Sequence, residues 1–248
     1  MSARPVVAIF QHHPHQGPGF LLHVLQDAGL RAELFDPDER SDRPADLRGF
    51  AGLVVLGSDH SVNEDRPWIH HERALVRQAV REGIPVIGHC FGSQLLAQAL
   101  GARVGRSCRP QIGWKRLRAT PEGRELLGQA EVWSFNWHYE AFGIPRGATR
   151  VLAGAQGLNK GFVLGPHMGF QCHFEVTQET IEDWCAEGAK EVAGRDEPTV
   201  QSIEQMLSQA PQVLPDMHAT ARRVYARWIE GVRRRHSRGA GGTVAGRG

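Results

Sequence analysis

No run of apolar residues in this chain approaches the ~20 that a membrane-spanning helix requires. The opening MSARPVVAIFQHH contains an apolar stretch too short for a signal-peptide core, and it runs straight into a His-rich loop. Cysteine is scarce: Cys90, Cys108, Cys172 and Cys185 form no C-x-x-C pair, so neither a disulfide framework nor a zinc site is expected. There is no G-x-x-x-x-G-K-[ST] phosphate loop, no S-G-G-x-D-S pyrophosphatase loop and no internal repeat. The body also lacks a basic excess. Eight arginines against two acids from Asp216 onward give that segment +6 of the net +2, leaving −4 elsewhere, which argues against a nucleic-acid clamp. These absences predict a cytoplasmic protein without a membrane or nucleic-acid partner, a metal or a cofactor.

What is present is an α/β pattern. In 248 residues, 41% hydrophobic and 23% charged, short β-branched runs alternate with helical ones. Strands are predicted at Val6–Phe10, Leu53–Leu56 and Ile84–Ile87, and helices at Gly19–Gly29, Trp68–Arg81 and Ser93–Leu100. Such alternation implies a three-layer sandwich with a mostly parallel central sheet, its ligand beyond the carboxyl ends of the strands. Later short strands at Trp114–Arg118, Glu131–Phe135, Thr149–Ala153, Gly161–Leu164 and Phe170–His173 extend it with antiparallel members. Thr177 is a plausible N-cap for a following helix. The spacing of Tyr225, Trp228, Ile229 and Val232 predicts a last helix over Ala219–Val232, whose apolar stripe needs the core or a second copy as cover. The expected organisation is an α/β domain over 1–192, a helical extension over 193–232, and a disordered Arg/Gly-rich tail over 233–248.

The most informative stretch is Gly88-His89-Cys90-Phe91-Gly92-Ser93-Gln94, where an apolar strand hands over to a helix. Glycines flank the cysteine by two on each side, as in a nucleophile elbow with Cys in place of Ser. The thiol then sits at a helix N-terminus, which favours thiolate, and the Phe91 amide can donate to an oxyanion. A base is available downstream. His173 and Glu175 are two apart and share a face on extended chain, so the carboxylate can orient the imidazole toward the thiol. A buried, inert cysteine beside a solvated His-Glu pair is the competing reading. His12, His13 and His15 suit a pocket-rim loop better than a metal site, since no carboxylate or Cys follows at ligand spacing. His70 and His71 are expected exposed on a helix, His89 to pack, and Cys108 and Cys185 to serve as small apolar residues.

The Cys90 elbow followed by His173-Phe174-Glu175 resembles the class I (triad) glutamine amidotransferases, from about residue 6 to 190. Gln11-His12-His13, Gly17-Pro18-Gly19, Gln111-Ile112-Gly113-Trp114 and Trp137-His138 look like its stand-alone, GMP-synthase-like branch. The resemblance implies a flavodoxin-like fold and release of ammonia from glutamine through a γ-glutamyl thioester. It makes Cys90 the nucleophile, His173 the base and then acid, and Glu175 its orienter. It also implies a second oxyanion donor from the Gly57-Ser58 turn, Gln94 beside the substrate, and Asn136, Trp137 and His138 along the pocket. Ser58, Phe174, Tyr139 and Cys172 stand where the family usually has Gly, Pro, Gly and Phe. The implied partners are glutamine, or another γ-glutamyl compound if Tyr139 reshapes the pocket, and a synthetase chain that accepts the ammonia. A γ-glutamyl peptide hydrolase and a non-catalytic regulatory subunit of the same fold stay open.

Overall fold

The computed structural model describes residues 4–35 and 43–241. The apolar runs become the centre of a nine-stranded sheet. β1 (Val6–Phe10), β2 (Arg31–Phe35), β3 (Gly52–Val55), β4 (Val86–His89) and β9 (His167–Phe170) are parallel, in the order β2-β1-β3-β4-β9. Strands buried on both faces read as continuous apolar runs, and β3 and β4 are buried throughout. The sheet continues antiparallel through β8 (Asn159–Leu164), β7 (Thr149–Ala153), β5 (Val104–Ala119) and β6 (Glu131–Phe142).

Helices cover both faces. Val7 and Ile9 of β1 point into one apolar layer and Ala8 and Phe10 into the other, following the two-residue period of a strand. The first layer is closed by α1 (Gly19–Asp27), α4 (Pro121–Leu127), α5 (Gln178–Glu187), α6 (Ala189–Val192) and α7 (Ile203–Gly241). The second is closed by α2 (Pro67–Glu82) and α3 (Phe91–Ala99). Thr177 caps α5, its hydroxyl accepting the Thr180 N–H. No helix among the described residues is long and apolar enough to cross a membrane.

Three expectations are corrected. The last helix begins at Ile203, not Ala219, and runs through Pro211 and Pro215. A proline inside a helix forfeits one backbone hydrogen bond. Here an apolar stripe of Met206, Ala210, Val213, Leu214, Met217, Ala221, Val224, Tyr225, Trp228, Ile229 and Val232 buries against the core and offsets that loss. The stretch from Arg233, expected to be disordered, stays helical to Gly241; residues 242–248 lie outside the described ones. Arginine is a good helix former, and Arg233 and Arg235 donate to the carbonyls of Ala28 and Glu82 at the ends of α1 and α2. The strand expected at Phe170–His173 ends at Phe170, and His173 touches the sheet only through a single bridge to Phe135. Two differences are smaller. β2 went unforeseen because it is a polar edge strand, and Cys108 is exposed on β5.

Candidate active site

Cys90 occupies the junction of β4 and α3 with φ 48° and ψ −110°, the one non-glycine residue at positive φ among those described. Such a conformation costs on the order of 1–3 kcal/mol and persists only where the surroundings enforce it. The enforcement comes from close backbone approach. A Cβ on Gly88 would lie 2.4 Å from the Gly92 carbonyl carbon, and one on Gly92 would lie 2.0 Å from the Val55 oxygen. Bonds then lock the turn. Cys90 N–H donates to Phe170 O at 2.8 Å, and Cys90 O accepts the Ser93 hydroxyl at 2.6 Å and the Gln94 amide at 3.1 Å.

Two backbone amides near the elbow are left without an intrahelical or His12 partner by their local geometry. Phe91 is the first residue of α3, where a backbone N–H has no acceptor within its own helix. Just past the end of β3, the Gly57 carbonyl is engaged by His12 Nδ1 at 2.9 Å. In a trans peptide the next N–H points the opposite way, so the Ser58 amide faces away from His12. His12 is itself fixed. Its Nε2 lies 2.9 Å from Glu72 Oε2, and Arg43 Nε lies 2.7 Å from Glu72 Oε1, with Glu72 fully buried. The loop histidine expected at the pocket rim is therefore an interior support for the turn.

His173 and Glu175 meet although the strand has already ended. Glu175 Oε1 accepts the His173 Nδ1–H at 2.5 Å, which leaves Nε2 as the nitrogen available to the thiol side. Burial disfavours the imidazolium, but the Glu175 carboxylate and Cys90 outweigh it and hold His173 above its ordinary range. Burial likewise opposes the Glu175 charge, yet the charge and hydrogen bond of His173 hold that carboxyl below its ordinary value. The segment is anchored from behind. Glu175 O accepts the Phe20 N–H of α1 at 2.8 Å, and Val176 O accepts His218 Nε2–H of α7 at 2.9 Å.

His89 does more than pack. Its Nδ1 stands 3.2 Å from both the Cys172 carbonyl and Glu175 Oε2, with hydrogen-bond geometry only to the carbonyl. Burial keeps this imidazole neutral by lowering its pKa, so Nε2 is an acceptor for the Tyr225 hydroxyl of α7 at 3.2 Å. The last helix thus reaches the array through one hydrogen-bonded histidine.

A cleft of two lobes opens around the sulfur. One, about 190 Å³, is lined by Cys90, His173, Ser58, Trp137 and Trp184. The other, about 330 Å³, is lined by Cys90, Gln94, His138, Tyr139, Glu140 and Arg106. Gln171 Nε2 donates to the sulfur at 3.6 Å, and its Oε1 accepts from Gln94 at 3.2 Å. Of the expected residues, Cys90, His173, Ser58, Gln94, Trp137 and His138 line the two lobes, whereas Gly57, Phe91 and Glu175 are their neighbours in chain or by hydrogen bond and do not line them. Asn136 lies fully buried behind the wall, its Oδ1 accepting from Lys160 Nζ at 2.6 Å. Glu72, Gln171 and Lys160 went unread in the sequence. Only Lys160 left a trace, since strand alternation places it on the same side as the core residue Phe162. Among the described residues, no three His, Cys, Asp or Glu side chains converge as metal ligands.

The model of the family described as "Glutamine amidotransferase class-I" matches residues 19–187. The chain is 31% identical over 193 residues to the glutamine amidotransferase-like protein YfeJ of Salmonella typhimurium, covering 73% of this chain and 80% of that one. It is 35% identical over 170 residues to the GMP synthase of Aeropyrum pernix, covering 64% of this chain but only 32% of that longer protein. A glutamine amidotransferase structure from Methylobacillus flagellatus superposes with a TM-score of 0.87 at 36% identity, covering 93% and 96% of the two chains. One from Thermotoga maritima gives 0.83 at 25% identity, covering 92% of this chain and 100% of its own.

Proposed function

The chain belongs to the class I glutamine amidotransferases, and from that premise we propose that it hydrolyses the side-chain amide of glutamine with Cys90, His173 and Glu175. The observation that carries this reading is the strained Cys90 elbow sharing one cleft with an imidazole whose far nitrogen is held by a carboxylate. The Cys90 thiolate attacks the γ-carbonyl carbon, and the carbonyl electrons move onto oxygen, facing the Phe91 and Ser58 amides. The C–N bond breaks as His173 gives its Nε2 proton to the departing nitrogen, leaving ammonia and a γ-glutamyl thioester. Neutral His173 then takes a proton from water, hydroxide adds to the thioester, and the thiolate leaves with glutamate formed. Glu175 keeps the imidazole in one orientation throughout.

The leaving nitrogen must sit on the His173 side, because that residue protonates it. The lobe there holds more than ammonia. This favours, as a second reading, γ-glutamyl amides with a substituted nitrogen, while Arg106 and Glu140 in the other lobe suit the α-carboxylate and α-ammonium of the γ-glutamyl part. The intact array speaks for catalysis rather than a non-catalytic regulatory role. With GMP synthases among the relatives, a separate synthetase chain is the natural recipient of the ammonia. The test is ammonia release from glutamine by the wild-type chain and by Cys90→Ala. Release abolished by the substitution supports the reading, and undiminished release overturns it. Competition between glutamine and γ-glutamyl peptides decides the substrate.

A further inference from the structure

Lys160 is only 1% exposed, and among the described residues no carboxylate pairs with it. A buried cation without an anion is costly, and proteins seldom keep one without a use for the charge. Its Nζ is 2.6 Å from Asn136 Oδ1 and 2.7 Å from His138 Nε2. Both partners are set as acceptors by their own neighbours. His138 Nδ1–H donates to Glu140 O at 2.9 Å, so Nε2 presents its lone pair, and Asn136 Nδ2 donates to Ser134 Oγ at 3.0 Å.

The neighbours of Lys160 bracket the nucleophile. Trp137, between its two acceptors, places a carbonyl 3.8 Å from the Cys90 sulfur. Gln171, whose amide donates to the Lys160 carbonyl at 2.9 Å, also donates its side chain to that sulfur. His138 from β6 contacts the ammonium, and the other titratable groups that act on its charge are Cys90 from the elbow, Cys172 from the segment after β9, and Lys115 from β5. Burial lowers Lys160 to about 8, while Cys172 and Cys90 act in the opposite direction by favouring its charge. Burial pushes Cys172 up to about 12, whereas Cys90 lines the open cleft and takes the Gln171 side-chain donor.

We propose that Lys160 is a positioning residue that acts by charge: its ammonium, behind the Asn136–His138 wall, stabilises the Cys90 thiolate before and after each turnover. This rests on the reading of Cys90 as nucleophile. The role differs from that of His173, which moves a proton; Lys160 holds its protons and supplies a standing field. It also fixes the His138 ring, which lines the substrate cleft.

The test is the rate at which iodoacetamide modifies Cys90 in the full chain, mapped by mass spectrometry, at pH 7 and at pH 10. Lys160→Met and Lys160→Gln remove the charge, and Lys160→Arg keeps it. Loss of the charge is expected to slow modification at pH 7 by about tenfold or more, the effect of one unit in thiol ionisation. At pH 10 the neutral variants should match wild type, and the Arg variant should stay near wild type at both. A merely structural lysine would instead alter melting temperature and leave the pH 7 to pH 10 ratio of rates unchanged, which would overturn the proposal. The Gln variant retains a donor for Asn136 and carries the test should the Met variant fail to fold. Wild-type Cys90 reacting no faster at pH 7 than the exposed Cys108 would overturn the nucleophile reading, and this inference with it.

Discussion

Each group in the array has its state set by one or two atoms that can be removed individually. Glu175→Gln removes the charge that holds His173 above its ordinary range, and it is expected to lower kcat by about 100-fold or more, with a smaller effect on KM. Steady-state kinetics check this, and an unchanged kcat would contradict the assignment. His12 offers a separable effect. His12→Phe frees the Gly57 carbonyl and should lower kcat about tenfold by loosening the Ser58 amide, while iodoacetamide modification of Cys90, which forms no oxyanion, keeps its rate. Tyr225→Phe leaves the buried His89 Nε2 without its donor and should cost about 1–3 kcal/mol in chemical denaturation. Much of this was out of reach of sequence reasoning. Cys90, His173 and Glu175 carry local signatures, a glycine-flanked elbow and an alternate-residue pair. Tyr225 and His89 are 136 residues apart, His12 and Glu72 are 60 apart, and only the folded chain joins them.

The elbow is an element built by exclusion. Gly92→Ala would drive a Cβ to 2.0 Å from the Val55 carbonyl oxygen and part α3 from β3. A loss of about 3 kcal/mol in denaturation midpoint stability, together with loss of activity, is the expected result. A folded, active variant would show that the turn is less constrained than its geometry indicates. Elements were legible where burial is two-sided: the apolar runs of β1, β3 and β4 and the amphipathic α2 lie where the periodicity puts them. Strand β2 was not, because an edge strand with exposed residues such as Leu34 carries no burial signal. Nor was the full length of α7, since two prolines interrupt the local signal while packing against α1, α4 and α5 sustains the helix.

At the scale of the whole molecule, pH dependence follows from buried histidine. His167, at the start of β9, is 4% exposed with no partner for Nδ1, and burial lowers it to about 4. An unfolded histidine titrates near 6.5, so the unfolded chain binds the extra proton first. Stability from this group is intact above about pH 6.5 and is lost progressively toward pH 4, by about 3 kcal/mol in all. His167→Gln should flatten that part of a denaturation profile, and an unchanged slope would show that other groups dominate it. Three-layer architecture, strand order and the two-lobed cleft converge on one sulfur at the carboxyl end of the parallel half of the sheet. The most direct measurement is covalent trapping with a glutamine-analogue diazoketone, followed by mass mapping. A single adduct on Cys90, absent in Cys90→Ala and slowed by excess glutamine, is the predicted result; an adduct confined to Cys108, or none at all, would contradict the account.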